Sequence, residues 1–182
     1  MIYLITCAGS KKEASTLNKS SLEHLFCNDL LLEPRKKLIT LTGINLDWSH
    51  TLPAWDLYSG SRSKLYPRVS ADNWEKPCVK IKILSALFGW INHTDLIPHY
   101  DLRMCDLLKY NNKSVWRYWY ELDILSTLVD KKNYIDLLSG DYRKAIHGNN
   151  SPIAKEPNAY FSDHYGVEKG KWLNNQLNNL IC

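Results

Sequence analysis

The chain has 182 residues, enough for one domain (1–182) that hides about 70% of its unfolded surface and needs no covalent staple. A 45% share of aliphatic and aromatic residues, with seven Trp and eleven Tyr, excludes a disordered chain. The formal charge of +4 and the pI near 8.7 exclude a strongly basic nucleic-acid-binding tail and leave room for a local basic patch. Cys7, Cys27, Cys78, Cys105 and Cys182 form no CxxC pair and are odd in number, so neither a zinc knuckle nor a disulfide framework is expected. A reducing cytoplasm is the simplest compartment. The opening apolar run is too short to span a membrane and has neither the basic leader nor the cleavage site of a signal peptide.

Ile2 to Cys7 is a continuous β-prone run broken by Ala8-Gly9-Ser10-Lys11-Lys12, which predicts a buried strand feeding a small-residue loop. Ser20-Ser21-Leu22-Glu23 has the pattern of a helix start, Pro34 is expected to end any helix begun there, and Lys37 to Leu41 reads as a short strand. Thr51 to Ser61 is a turn-rich aromatic loop, followed by a helix over Lys64 to Asn73 interrupted at Pro67. Val79 to Ala86 alternates as a strand that enters a covered sheet, ending at Leu87-Phe88-Gly89-Trp90. Cys105 to Leu128 has the spacing of one long helix or two shorter ones. Tyr134 to Leu138 is a third strand that ends at Ser139-Gly140-Asp141-Tyr142-Arg143. Asn149 to Pro157 reads as a flexible loop, and Val167 to Leu180 as a terminal helix. Strands that end in small or polar loops and alternate with helices give an α/β fold: a mainly parallel central sheet flanked by helices, with its ligand at the carboxyl ends of the strands.

Those loops carry the candidate chemistry. After the first strand, Cys7, Gly9 and Ser10 place backbone N–H groups and a hydroxyl toward an anion, and Lys11 and Lys12 add charge; the alternative is an ordinary polar turn. After the third strand, Arg143 and Lys144 are placed to hold DNA phosphates while Tyr142 approaches the site, or else Ser139 or Asp141 caps a helix. Further basic clusters at Arg35-Lys36-Lys37 and Arg62 to Arg68 read as DNA contacts or as a solvated face. The six histidines form no HxxxH pair and have no Cys at metal spacing, so no metal and no cofactor is expected. His99 is the one histidine placed for acid-base work. Ser85 lacks the GxSxG elbow of a hydrolase triad.

The run Leu84-Ser85-Ala86-Leu87-Phe88-Gly89-Trp90, followed by Ile97-Pro98-His99-Tyr100-Asp101-Leu102-Arg103-Met104, resembles the LSAxxG and PYDxxM pair of a widespread bacterial and phage family, the YaaA-like or peroxide-stress-like domains. The CxGSKK opening, Pro53 to Gly60 as PAxxLYSG, and Leu137 to Tyr142 as LLSGxY follow the same family order. Leu87 and Phe88 replace the Lys and Tyr of the LSAKYG pattern, a lost cation that points to a different or bulkier ligand. The resemblance implies a uracil-DNA-glycosylase-like three-layer sandwich. It further implies an anti-phage DNA glycosylase that excises a glucosylated hydroxymethylcytosine-type base from phage DNA and leaves abasic sites. A DNA-binding stress protein without turnover is implied equally well, and a nucleoside hydrolase or deoxyribosyltransferase acting on free nucleosides is the third reading.

Cleaving an N-glycosidic bond builds positive charge on the sugar and calls for a carboxylate. Asp101, near Ser85 and Arg103 in sequence, is the first choice, the alternative being a cap on a helix that starts at Leu102; Asp56 is the second choice or a turn former. Ser85 completes the candidate catalytic set. Tyr58, Trp55, Phe88 and Trp90, with Gly89 and Tyr100 among them, are placed either to hold an extruded base or to pack the core.

Overall fold

The computed structural model describes residues 1–128, 134–149 and 166–181. The expected loop from residue 150 to Pro157, together with His164 and Cys182, lies outside the described residues. Strand β1 (Ile2–Thr6) is central and pairs in parallel with β3 (Ile81–Ser85) on one side and β6 (Tyr134–Asp136) on the other. Strand β4 (Gly89–Asn92) adds to β3 antiparallel, so the sheet runs β4-β3-β1-β6 and is mixed rather than mainly parallel. Only Ala86, Leu87 and Phe88 join β3 to β4, too few for a crossover, so the chain must return as a hairpin. Gly89 opens β4 at φ +63°, where an added Cβ would also lie 3.1 Å from the Trp119 ring. A second, antiparallel pair joins β2 (Thr51–Pro53) to β5 (Leu96–Pro98).

Helix α1 (Asn28–Thr42) runs through Pro34 and absorbs Lys37 to Leu41, which are therefore not a strand. Leu31, Arg35 and Leu38 recur at helical spacing and are buried, and that packing outweighs the N–H that Pro34 lacks. The helix stops at Gly43, in the left-handed region, whose N–H returns to the Ile39 carbonyl. Ser21 makes no side-chain cap, and the expected helix there is one 3-10 turn, Leu22–His24. Lys64 to Asn73 likewise resolves into a 3-10 turn, Tyr66–Arg68, and α3 (Ala71–Glu75), capped by the Ser70 hydroxyl. The short α2 (Ala54–Leu57) follows β2 directly. Between Cys105 and Leu128 only α4 (Val115–Leu122) is helical, because Leu107 and Ser114 bridge a tight hairpin with Asn112 at φ +54°. Helices α5 (Gly140–His147) and α6 (Gly166–Asn178) complete the six α-helices among the described residues. None of these helices is long and apolar enough to cross a membrane.

Trp74, Trp90 and Trp119 fill the core, and Arg35 is buried among apolar residues rather than on a solvated basic face. Its guanidinium donates to the carbonyls of Phe26 (2.7 Å), Phe88 (2.8 Å) and Trp90 (2.8 Å). Burial lowers its pKa to about 10, with Asp95 pulling the other way. Contrary to the expectation of thiols throughout, Cys78 is disulfide-bonded, while Cys7, Cys27 and Cys105 are free.

Lys82 on β3 lies over the Phe26 ring and donates to the Asn92 side chain. Burial pushes its pKa down to about 8 against the pull of Asp95. A lysine whose folded pKa lies below its unfolded value destabilises while charged, so stability is expected to rise with pH between about 8 and the ordinary lysine value near 10.5. Urea midpoints at pH 7.5 and 10 read this as a rise in the wild type that Lys82→Met does not share.

Candidate functional site

Strands β1, β3 and β6 all point their carboxyl ends the same way, and two clefts open there. Both are floored by Thr6, Cys7 and Gly9 of β1 and its loop and by Ser139 ahead of α5. The first, about 260 Å³, is closed by Ser10, Arg62 to Tyr66, and Gly166 and Lys169 of α6. The second, about 340 Å³, is closed by Leu102 to Cys105 and by Asp141 and Tyr142 of α5. The loop after β1 thus serves both.

That loop is held from below. Lys12 N–H donates to the Leu57 carbonyl at 2.8 Å, and the Ser10 hydroxyl accepts from Arg62 N–H at 3.2 Å. Gly60 presses on the same loop so closely that a Cβ would sit 2.7 Å from the Lys11 nitrogen. The Tyr58-Ser59-Gly60 segment and the Cys7 to Lys12 loop are therefore one packed unit.

Beneath it lies a layer of buried hydroxyls. Tyr58 and Tyr100 share a hydrogen bond at 2.7 Å, Tyr100 meets Ser85 at 2.8 Å, and Ser85 Oγ accepts from the Phe88 N–H at 3.1 Å. Tyr66 donates to the Thr6 carbonyl at 2.7 Å, and Tyr142 meets the Cys7 thiol at 3.1 Å. Burial, with Cys7 adding to it, holds all four phenols well above their usual pKa, so each stays a neutral O–H. The Lys11 ammonium lies 4.3 Å above the Tyr100 ring, a cation–π contact. Its own pKa is lowered by burial, which Cys7 and Asp101 oppose and Arg103 reinforces.

Of the residues singled out in the sequence, Cys7, Gly9, Ser10 and Tyr142 line the clefts. Tyr58, Ser85, Phe88, Gly89, Trp90 and Tyr100 are buried beneath them and offer no face to an extruded base. Phe88 packs edge-on to Tyr100, Trp90 donates its indole N–H to the Leu125 carbonyl, and Trp55 stacks on Trp74. Arg143 is only 1% exposed and pairs with buried Asp136 at 2.8 Å, which removes it from any phosphate-facing surface. Lys12 pairs with Asp56, and Lys144 with Asp141, both near the surface where such pairs are weak. Asp101 is exposed and no helix follows it, so it caps none; its influence reaches Lys11. His99 Nε2 lies 3.6 Å from a Glu13 oxygen on the outer surface. No cluster of three or more His, Cys, Asp or Glu among the described residues is arranged for a metal ion.

Lys169 is the residue that pattern reading passed over. It is 3% exposed and donates to the carbonyls of Leu137 and Leu138, each at 3.1 Å. The signal was its phase, since Lys169, Leu173 and Leu177 recur every four residues on the buried face of α6. Asp136, an acid inside the apolar run from Tyr134 to Leu138, was a similar flag.

No curated protein gives a significant match to the chain. The family model described as peroxide stress protein YaaA matches residues 5–167, which takes in both strand-end loops and the buried hydroxyl layer. The chain is therefore a member of the YaaA peroxide stress protein family.

Proposed function

We propose that this chain is a DNA-binding protein that holds one nucleotide unit across the two clefts and does not turn it over. The observation that carries this reading is the pair of adjoining clefts over one shared floor, with Arg62, Lys64 and Lys169 around the first. Phosphate affinity comes from such clustered cations, even where the net charge of the chain is modest. A bound DNA would place the protein in the cytoplasm. The absence of turnover rests on the three groups the sequence offered for catalysis: Asp101 is exposed, Asp56 is tied to Lys12, and Ser85 is buried and hydrogen-bonded.

One observation favours base excision as the second reading. Asp141 lines the second cleft beside Tyr142 and Arg103, where a carboxylate would face the sugar of an extruded nucleotide. In that reading the fold is a variant of the uracil-DNA-glycosylase sandwich acting on a modified phage cytosine.

Fluorescence anisotropy with labelled DNA across a salt series tests binding, and mass spectrometry of released base tests excision on DNA carrying cytosine, hydroxymethylcytosine or its glucosylated form. The expected result is affinity that falls log-linearly with salt and shows no base release, with Asp141→Asn binding as well as the wild type. Base release that Asp141→Asn abolishes would replace the binding reading with excision. Salt-independent affinity would overturn the phosphate role of the clefts.

A further inference from the structure

We infer that the hairpin from Asp106 to Val115 is a stacking finger for unpaired DNA: the Tyr110 ring at its tip takes the face of a base in a strand that leaves the second cleft, and Lys109 takes a phosphate beside it. This names the substrate class of the DNA-binding reading, single-stranded rather than paired DNA, and rests on that reading.

The finger is braced along its length. Val115 N–H donates to the Asp106 carbonyl and Trp116 N–H to the Met104 carbonyl, each at 2.9 Å, which closes the stem. Nearer the tip, Leu108 N–H donates to the Lys113 carbonyl at 2.8 Å, and Asn112 N–H returns to the Leu108 carbonyl at 3.0 Å. Leu108 is 2% exposed and anchors the hairpin in the core, while the Lys113 ammonium is tied to Glu121 of α4 at 2.6 Å. A loop held in this way gives up little freedom when a ligand arrives, so contacts at its tip count nearly in full toward affinity.

This hairpin turns apolar surface to water. Tyr110 is 88% exposed and Leu107 60%. Hydrophobes scattered singly on a surface are ordinary, but here two stand three residues apart on one rigid hairpin. Charge names their occupant. From Arg103 to Arg117 the chain carries four cationic residues and one acidic one. Arg103, Lys109 and Arg117 are exposed, and Arg103 also lines the second cleft. Cations around a bare aromatic ring suit a polyanion with flat apolar faces, which is a nucleic acid.

The same geometry selects the unpaired form. In a duplex each base is already stacked on its neighbours, so only an unpaired base has a face free for Tyr110. Clefts of about 260 and 340 Å³ likewise hold a nucleotide only when it has left the duplex. The finger is continuous with the second cleft, since Met104 of its stem lines that cleft. Asp141 of the cleft pairs with Lys144, whose ammonium lies 5.9 Å over the Trp116 ring at the stem. Tyr110 follows Met104 by six positions and so lies at most about 20 Å from it, within reach of one short strand.

The test is fluorescence anisotropy of the full chain with a labelled single strand of about twelve nucleotides and with its blunt duplex, across a salt series. The wild type is expected to bind the single strand about tenfold or more tightly than the duplex. Tyr110→Ala is expected to lose about tenfold on the single strand, by the same factor at every salt concentration, whereas Tyr110→Trp stays within about twofold of the wild type. Lys109→Ala is expected to lessen the slope of log affinity against log salt by about 0.7, the share of one phosphate on a single strand. All three variants keep the wild-type Tm, because both side chains stand in water. Tyr110→Ala with wild-type affinity, Tyr110→Trp as weak as Tyr110→Ala, or a duplex bound as tightly as the single strand would overturn the finger and leave the DNA reading standing. No binding of either DNA would overturn both.

Discussion

Replacing Arg143 by methionine is expected to lower folding stability by about 3–5 kcal/mol, because it leaves the Asp136 carboxylate buried without its cation. For a chain of this length that corresponds to a fall in Tm on the order of 10 °C. The two side chains meet at 2.8 Å, and Asp136 also accepts the Leu138 N–H at 2.7 Å. Burial raises the Asp136 pKa and the Arg143 charge opposes the rise, so removing Arg143 raises it further. A folded carboxyl with a raised pKa holds a proton that the unfolded chain has released. Stability then falls as pH climbs from the ordinary aspartate value near 3.8 through the raised folded one. Urea midpoints at pH 4, 5.5 and 7 are therefore expected to show a deficit in Arg143→Met that widens with pH. Adding Asp136→Leu is expected to recover most of the loss, since a buried pair replaced on both sides by apolar groups is often neutral. A single substitution that lowers DNA affinity at unchanged stability would instead return Arg143 to the surface role its sequence position suggests.

Gly170→Ala is expected to destabilise, against the usual sign. In a helix interior this change ordinarily gains about 1 kcal/mol. Here the new methyl would come 2.4 Å from the Leu65 carbonyl oxygen and 2.8 Å from Arg68 Cβ, and the first of these is backbone that cannot swing aside. Moving α6 outward relieves the clash and carries Lys169 off the Leu137 and Leu138 carbonyls. The net cost is expected to be about 1–3 kcal/mol, as for an overpacked core, with DNA affinity falling in parallel. Chemical denaturation and fluorescence anisotropy with labelled DNA read the two effects on one variant. A gain in Tm would mean that α6 yields freely and does not wall the cleft.

The parts of the fold legible in the sequence were those with a strong local signal. Ile2 to Cys7, Val79 to Ala86 and Tyr134 to Leu138 are β-prone runs that lead into small or polar loops, and each contains a strand of one sheet. The helix over Gly166–Asn178 announced itself through Leu173 and Leu177. What local pattern could not carry was direction and competition. The return of β4 depended on how short the Ala86 to Phe88 link is, and α1 kept Pro34 because the burial of Leu31, Arg35 and Leu38 on one helix face outweighs one missing donor. The site divides in the same way. Cys7, Gly9 and Ser10 were legible because a small-residue turn after a strand is a local feature. Phe88 and Trp90 look in sequence like residues that could stack on a base, and only their full burial distinguishes packing from recognition. Lys169 lies more than 150 positions in sequence from the Cys7 to Ser10 loop whose cleft it lines, a distance that no motif window spans.

Arg35 bears on how the molecule behaves in company. Strand β4 is the outer strand of its sheet, and such a strand offers a row of unclaimed carbonyls to any neighbouring copy. Because His93 N–H returns to Ile81, the alternation along β4 turns the Trp90 carbonyl outward, and there the Arg35 guanidinium occupies it together with the Phe88 carbonyl. An arginine reaching from α1 thus takes the place of a fifth strand. The sheet is closed on that flank to strand addition, and crowded molecules gain no template there for growing into a fibre.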